Sequence, residues 1–300
     1  MIDTVEFKTK ISLDSLSLNK MQMSSGQNVV YVKPGGQNAT SYSYRLKGDA
    51  RMPRIKYAVE SNVLTVTIPS LGYYMFGSSI IPFGEVHLIK FYTKIVRDIQ
   101  AELNITFHEH PSKWDIVSMD VYHDFKVGAD IKEYIYALGQ HSCIEERYKL
   151  HKVADETVAW RCGSKEIRFY DKHKKAKDIG EDAYTIDNSK GILRFECDIK
   201  KAELKRRFGD ATIQTVVTDI KLKRLLVEHL NMVGKWDGII TNEIELFKTI
   251  KKHVKNQTKA GSMMWYIRAK SLGLELNLSR GTIQNYEKEF KKMGIFPVIA

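Results

Sequence analysis

The stretch from Thr157 to Phe208 holds the residue types that phosphodiester chemistry needs. Its first half, Glu166 to His173, reads as a short strand with apolar residues on both faces, ending in Tyr170-Asp171-Lys172. Its second half, Gly191 to Ile199, alternates with a period of two. Ile192, Arg194, Glu196 and Asp198 share one face, and Leu193, Phe195, Cys197 and Ile199 share the other. A strand normally gives its charged face to water. Side by side, these two would set a tyrosine, a lysine and a carboxylate on one surface beside several arginines. A tyrosine hydroxyl, with a pKa of about 10, is a poor nucleophile at neutral pH. It gains reactivity when a divalent ion polarises the phosphate and a nearby cation stabilises the phenolate. An amphipathic hairpin with a solvated charged face fits the same alternation.

Tyr-Asp-Lys, a variable insert, then Leu-Arg-Phe-Glu and a basic helix ending in Phe208-Gly209 resemble the gene II/X replication proteins of filamentous phages and related plasmids. These are rolling-circle initiators that nick and rejoin DNA. The strand Ile116 to Phe125 is similar to that family's Arg-Ile-Asp strand, with Asp120 in the place of its aspartate and Ser118 where the family has arginine. The opening Met1-Ile2-Asp3 and the helix expected over 130–138 match as well. The end, Leu278-Ser279-Arg280-x-Thr282 with Tyr286 and Gly294-Ile295, resembles plasmid-type members. The resemblance implies an α+β fold, a largely antiparallel sheet nuclease core of the rolling-circle type, with a helical, helix-turn-helix-like C-terminal region. It implies a nicking and joining domain over 1–210 and a DNA-binding tail over 211–300. Asp120 and Glu196 would hold Mg²⁺ or Mn²⁺, since oxygen ligands favour hard cations. Tyr170 would attack and become joined to the 5′ phosphate, with Lys172 and Arg194 balancing phosphate or phenolate charge.

Other residues compete for these roles. Tyr122 lies on the aspartate strand and Tyr136 on the helix after it. In related transposon- and plasmid-type initiators the tyrosine sits earlier on the first arm of the hairpin, where this chain has Trp160 and Arg161. His108 and His110 have the His-x-His spacing that places two imidazoles on one face of a strand, a common metal pair. Glu109 between them and Pro111 after them suit a loop or strand end, so surface histidines fit equally.

The chain has 300 residues, 43% hydrophobic and 28% charged, which suits a folded soluble protein. A formal charge of +11 suits a polyanionic partner, and Lys and Arg crowd from Arg147 onward. Cys143, Cys162 and Cys197 lack a Cys-x-x-Cys spacing, which argues against a disulfide framework or a zinc ribbon. No apolar run reaches membrane-spanning length, and the start lacks the pattern of a signal peptide. A cytoplasmic protein of a bacterial host is expected. Its partner would be DNA, as a replication origin and as a single strand at the nick, with a host helicase and polymerase as further partners and no membrane.

Strands are expected over 2–7, 29–32, 40–46, 56–59 and 63–68. An aromatic, glycine-containing loop over 69–83 should lead into a long helix whose buried stripe is Leu88, Tyr92, Ile95, Val96 and Ile99. Residues 178–190 read as a surface excursion. After Thr212 the pattern is helical. Ser279 caps a last helix whose apolar face is Ile283, Tyr286, Phe290 and Met293, and Arg280, Thr282, Gln284 and Asn285 near its start are the candidate DNA readers. Two other functions remain open: a non-catalytic, sequence-specific DNA-binding replication regulator, and an RNA-binding accessory protein relying on the Tyr73 to Phe76 segment.

Overall fold

Period-two alternation along ten segments builds one antiparallel sheet. The structure, a computed structural model, describes residues 1–14, 17–19, 29–32, 38–129, 131–139, 148–153, 156–163, 165–233, 239–240, 243–271, 278–293 and 296–297. The strands of the first half are β1 (Ile2–Lys10), β2 (Val29–Val32), β3 (Asn38–Arg45), β4 (Arg54–Ala58) and β5 (Val63–Ile68). Those of the second are β6 (Asp115–Lys126), β7 (Lys149–Val153), β8 (Thr157–Cys162), β9 (Lys165–Asp171) and β10 (Ile192–Lys200). Their order is β2-β3-β4-β5-β1-β6-β10-β9-β8-β7. The order is the same from either edge. Each half opens on a central strand, β1 or β6, and returns beside it through its last strand, β5 or β10. The β1–β6 pairing is the seam between the halves.

One face of the sheet is mainly apolar among the described residues. Val5 and Phe7 of β1, Leu64 and Val66 of β5, Phe195 and Cys197 of β10, and Ile167 and Phe169 of β9 are all buried. Burying each such side chain contributes roughly 1.5–3 kcal/mol. The long helix α2 (Leu88–Leu103) covers the first half through Phe91, Ile95, Ile99 and Leu103. Leu88, Tyr92 and Val96, expected in the stripe, lie at its margin. Phe91 packs against Phe7 and Phe83 at 5.8 and 5.6 Å, which turns the helix onto that edge. The helices α3 (Ile131–Gly139), α6 (Lys201–Phe208) and α8 (Asp219–Val233) contribute to the same core.

Two segments depart from the expected loops. Residues 71–76 form helix α1 (Leu71–Phe76), capped by the Ser70 hydroxyl and ended by Gly77 at φ 80°. The aromatic residues there pack within the protein, and Tyr74 is buried with its hydroxyl on Asp98 at 2.8 Å. Gly72 belongs to this packing, because a Cβ would lie 2.6 Å from the Ile81 carbonyl oxygen and 2.8 Å from that of Ser78. The excursion over 178–190 is likewise ordered into helices. Asp171 caps α4 (Lys172–Asp178) and Asp182 caps α5 (Ala183–Asn188). The insert is docked through Thr185 Oγ1 on Ser78 Oγ at 2.6 Å and through Glu181 on Arg51 at 3.0 Å.

Beyond residue 210 the helices contribute to two cores. Ile213 and Val216 of α7 (Ile213–Val216) and Leu222, Leu225 and Val233 of α8 join the sheet core. A second core draws on α9 (Glu243–His253), α10 (Gln257–Ser271) and α11 (Arg280–Met293), around Leu246, Ile250, Met263, Tyr266 and Phe290. The expected face of α11 is the one used, with Ile283, Tyr286 and Met293 packed against that cluster. A short parallel pair, β11 (Ile239–Ile240) and β12 (Phe296–Pro297), accompanies it. Among the described residues no helix is long and apolar enough to cross a membrane.

Candidate active site on the polar face of the sheet

Cross-strand register decides which side chains meet. On the polar face, Asp124 of β6 pairs with Arg194 of β10, which pairs with Tyr170 of β9. The next row is Tyr122, Glu196 and Arg168, and in the one after it Asp120 faces Asp198. Asp120, Tyr170, Arg194 and Glu196 are thus brought onto one face of three adjacent strands. Asp120 and Glu196 are diagonal neighbours, close enough to share a partner.

That partner is Arg168. Its Nε donates to Glu196 Oε2 at 2.8 Å, its Nη2 to Asp120 Oδ2 at 3.2 Å and its Nη1 to Glu166 Oε1 at 3.1 Å. Arg161 closes the other side of Glu166 at 2.5 Å. Burial pushes the Asp120 carboxyl up to about 8, and the Glu196 charge adds to this, against the opposing pull of Arg168. Arg168 was not singled out from sequence. The signal was present, since it stands two residues before Tyr170 and so on the same face.

Arg194 is fully buried, with all three guanidinium nitrogens engaged. Nε and Nη2 hold Asp124 at 2.7 and 2.9 Å, Nη1 holds Asp3 at 3.3 Å, and Nη2 also donates to the Ser79 carbonyl at 3.2 Å. Its guanidinium carbon lies 3.8 Å from the centre of the Tyr122 ring. Asp3 and Asp124 are further members of the cluster that sequence reasoning missed. Lys172 is the first residue of α4 rather than the end of the strand. It is buried, and its Nζ donates to Ser79 Oγ at 2.7 Å. Burial lowers its pKa, and Arg194 acts in the same direction.

Tyr170 retains 9% exposure, and no hydrogen bond to its hydroxyl is formed among the described residues. Burial raises its phenol well above the ordinary range, Glu196 adds to the rise, and Arg194 and Arg168 counter it. The competing tyrosines are placed differently. The Tyr122 hydroxyl is buried without a hydrogen-bond partner. Tyr136 is 45% exposed on α3, whose Ile131 and Ile135 sit in the apolar core. Trp160 is buried in that core, away from the polar face, and Arg161 is engaged by Glu166.

The histidine pair is not brought to this cluster. His108 is exposed in the connection between α2 and β6. The His110 ring edge meets Tyr92 at 5.0 Å, and its Nδ1 hydrogen-bonds Ser112 Oγ at 2.9 Å. Asp120 lies five residues into β6, about 17 Å along an extended strand from its start. Among the described residues no group of three or more His, Cys, Asp or Glu is arranged to hold a metal ion. Asp120 and Glu196 nonetheless fit a hard cation in donor type. Each gives one oxygen to Arg168 and leaves its second, Asp120 Oδ1 and Glu196 Oε1, for another partner.

The proposed DNA readers lie on the second core. Arg280, Gln284 and Asn285 are exposed at the start of α11, and Thr282 is half-buried with its backbone N–H on Ser279 Oγ at 3.2 Å. The turn before this helix, 272–277, and Gly294 lie outside the described residues. No protein-family model matches the sequence, and no curated protein matches it.

Proposed function

We propose that the chain nicks and rejoins one DNA strand in the manner of a rolling-circle replication initiator, using the polar face of the sheet as a nuclease core. The observation that carries this is the convergence of Tyr170, Asp120, Glu196 and Arg168 on three adjacent strands. Tyr170 Oη is the attacking atom. It bonds to the scissile phosphorus, the 3′ oxygen leaves, and the 5′ phosphate stays on the tyrosine, so the bond energy is kept for rejoining. The hydroxyl proton ends on the departing 3′ oxygen, which leaves as a hydroxyl, while Glu196, whose charge bears most on the phenol after burial, stays with Arg168. Arg168 offers a planar guanidinium able to exchange its carboxylates for phosphate oxygens. Arg194 and Lys172 hold the frame around the tyrosine through Asp3, Asp124 and Ser79.

Asp120 Oδ1 and Glu196 Oε1 would hold Mg²⁺ or Mn²⁺, which when bound polarises the phosphate. The exposed start of α11, acting as a helix-turn-helix-like reader, supplies origin recognition through Arg280, Gln284 and Asn285. The partners are then origin DNA, a single strand at the nick, and the replication helicase and polymerase of a bacterial host, in its cytoplasm. The test is incubation with supercoiled plasmid carrying the protein's own origin, with and without Mg²⁺. Nicked circles carrying covalently bound protein are expected, and none with Tyr170→Phe.

One observation favours a second reading. Arg168 already engages both carboxyl groups, as it would in a protein that binds DNA without cutting it. A non-catalytic replication regulator would bind the origin and leave the plasmid supercoiled at every metal concentration.

A further inference from the structure

The polar face does not end at the site. Register carries it across β1, β5, β4 and β3 of the first half. One row runs from Ser118 through Glu6, Thr67 and Arg54 to Arg45, and the next from Asp115 through Lys8, Thr65 and Lys56 to Ser43. Lys10 lies beyond Lys8 on the same face of β1. The alternate residues of these strands, Phe7, Leu64, Val66, Ile55 and Tyr57, point into the core and are buried. Of those facing outward, Ser41 at the far edge is buried and the positions in the two rows above are half-buried or exposed.

The two halves of the face differ in charge. The second half carries Asp120, Asp124, Glu166, Glu196 and Asp198 together with its arginines. The outward positions of the first half carry Lys8, Lys10, Arg45, Arg54 and Lys56 against Glu6 and, at the Arg194 end, Asp3, with Asp115 of β6 beside Lys8. Lys8, Lys10 and Arg54 are exposed and form no ion pair among the described residues. Between them stand the small hydroxyls of Thr65, Thr67 and Ser43. Neighbouring cations on one strand are about 7 Å apart, and adjacent strands about 4.8 Å.

We infer that this open basic half-sheet is a track for single-stranded nucleic acid, which binds there through its phosphates and is led to the central cluster. Charge complementarity selects a polyanion. Shape selects a single strand. Among the described residues this face offers only strand side chains, hydroxyls between long cations, and such a surface suits an unpaired strand laid along it rather than a duplex groove. Its nearest row, through Glu6 and Arg54, is one register pair from the seam strand that carries Asp120. The track is independent of which tyrosine attacks, but its role as an approach to the cluster rests on the nicking assignment above.

The experiment uses the full chain and a fluorescent dT30 oligonucleotide, with anisotropy read over a salt series. The Lys8→Gln/Lys10→Gln/Arg54→Gln variant should bind at least tenfold more weakly. Its log K against log salt slope should fall by about 2, since each phosphate neutralised on a single strand accounts for about 0.7 of that slope. Lys90→Gln, an exposed cation on α2 at the opposite face of the sheet, should leave dT30 binding unchanged. Unaltered dT30 affinity and slope in the triple variant overturn the track, as does an equal loss on a duplex of the same length. If the triple variant does not fold, lysine acetylation of the wild-type chain decides. Lys8 and Lys10 should be protected by dT30, and full labelling of both in its presence overturns the proposal. Binding without nicking would sink the enzyme and spare the track. Nicking with unprotected lysines would do the reverse.

Discussion

At the scale of single residues, the carboxylates set the pH behaviour. Asp120 is raised by burial, so the stability its neutral form lends is present below its ordinary carboxylate range and lost as pH rises toward about 8. Wild-type Tm measured against Asp120→Asn should therefore fall between pH 5 and pH 8, by about 3 °C or more, the shift of roughly 1 kcal/mol in a chain of this size. A constant difference would mean that Asp120 is not raised. Nicking should change in the opposite sense. The phenol of Tyr170 is raised by burial and by Glu196, so the rate should climb through the alkaline range. Tyr170→Phe should fold, bind DNA and form no adduct at any metal concentration. Asp120→Asn and Glu196→Gln should recover in part at high Mg²⁺. An adduct that survives Tyr170→Phe but not Tyr122→Phe would move the nucleophile to β6. The shared face of Asp120, Tyr170, Arg194 and Glu196 was legible because strand side chains alternate with a period of two. The roles of Asp3 and Asp124 were not. They depend on which strands lie side by side, and nothing local to β1 or β6 states that.

At the scale of elements, the site is held by pieces that read as loops. Ser79, on the turn after α1, contacts both Arg194 and Lys172. Gly72 lets the Ser78 and Ile81 carbonyls close against that helix. Alanine for glycine inside a helix ordinarily gains about 1 kcal/mol. Here Gly72→Ala should lower both Tm and nicking, because backbone oxygens cannot step aside as a side chain could. A raised Tm in thermal denaturation would show that the turn can give. Thr185→Val keeps the shape but breaks the bonds to Ser78 and Asp182, and should cost about 1–2 kcal/mol in urea unfolding. These helices escaped sequence reading because α1 carries Gly72 and three aromatic residues, while α4 and α5 are under three turns long. Their order comes from docking rather than helix propensity. By contrast α2 and α11 show in the sequence, since four turns of apolar spacing leave little ambiguity.

At the scale of the whole molecule, two cores predict two separable parts. A chain ending at residue 236 keeps α8 and should fold and nick a single-stranded oligonucleotide, while losing preference for the duplex origin. A chain ending at 220 exposes the pockets of Leu222, Leu225 and Val233 and should aggregate or melt early by circular dichroism. Equal stability of the two truncations would contradict the packing of α8 on the sheet. The sheet's mirrored order has a consequence in time. The first five strands can meander into place as they leave the ribosome, but β1 finds its second neighbour only once β6, more than a hundred residues later, has been made. The cluster waits longer still, for Arg168 and then Glu196 on β10. A nascent chain therefore carries no assembled polar-face cluster until β10 has been made, so under the nicking proposal a chain terminated before it would leave the DNA around it uncut.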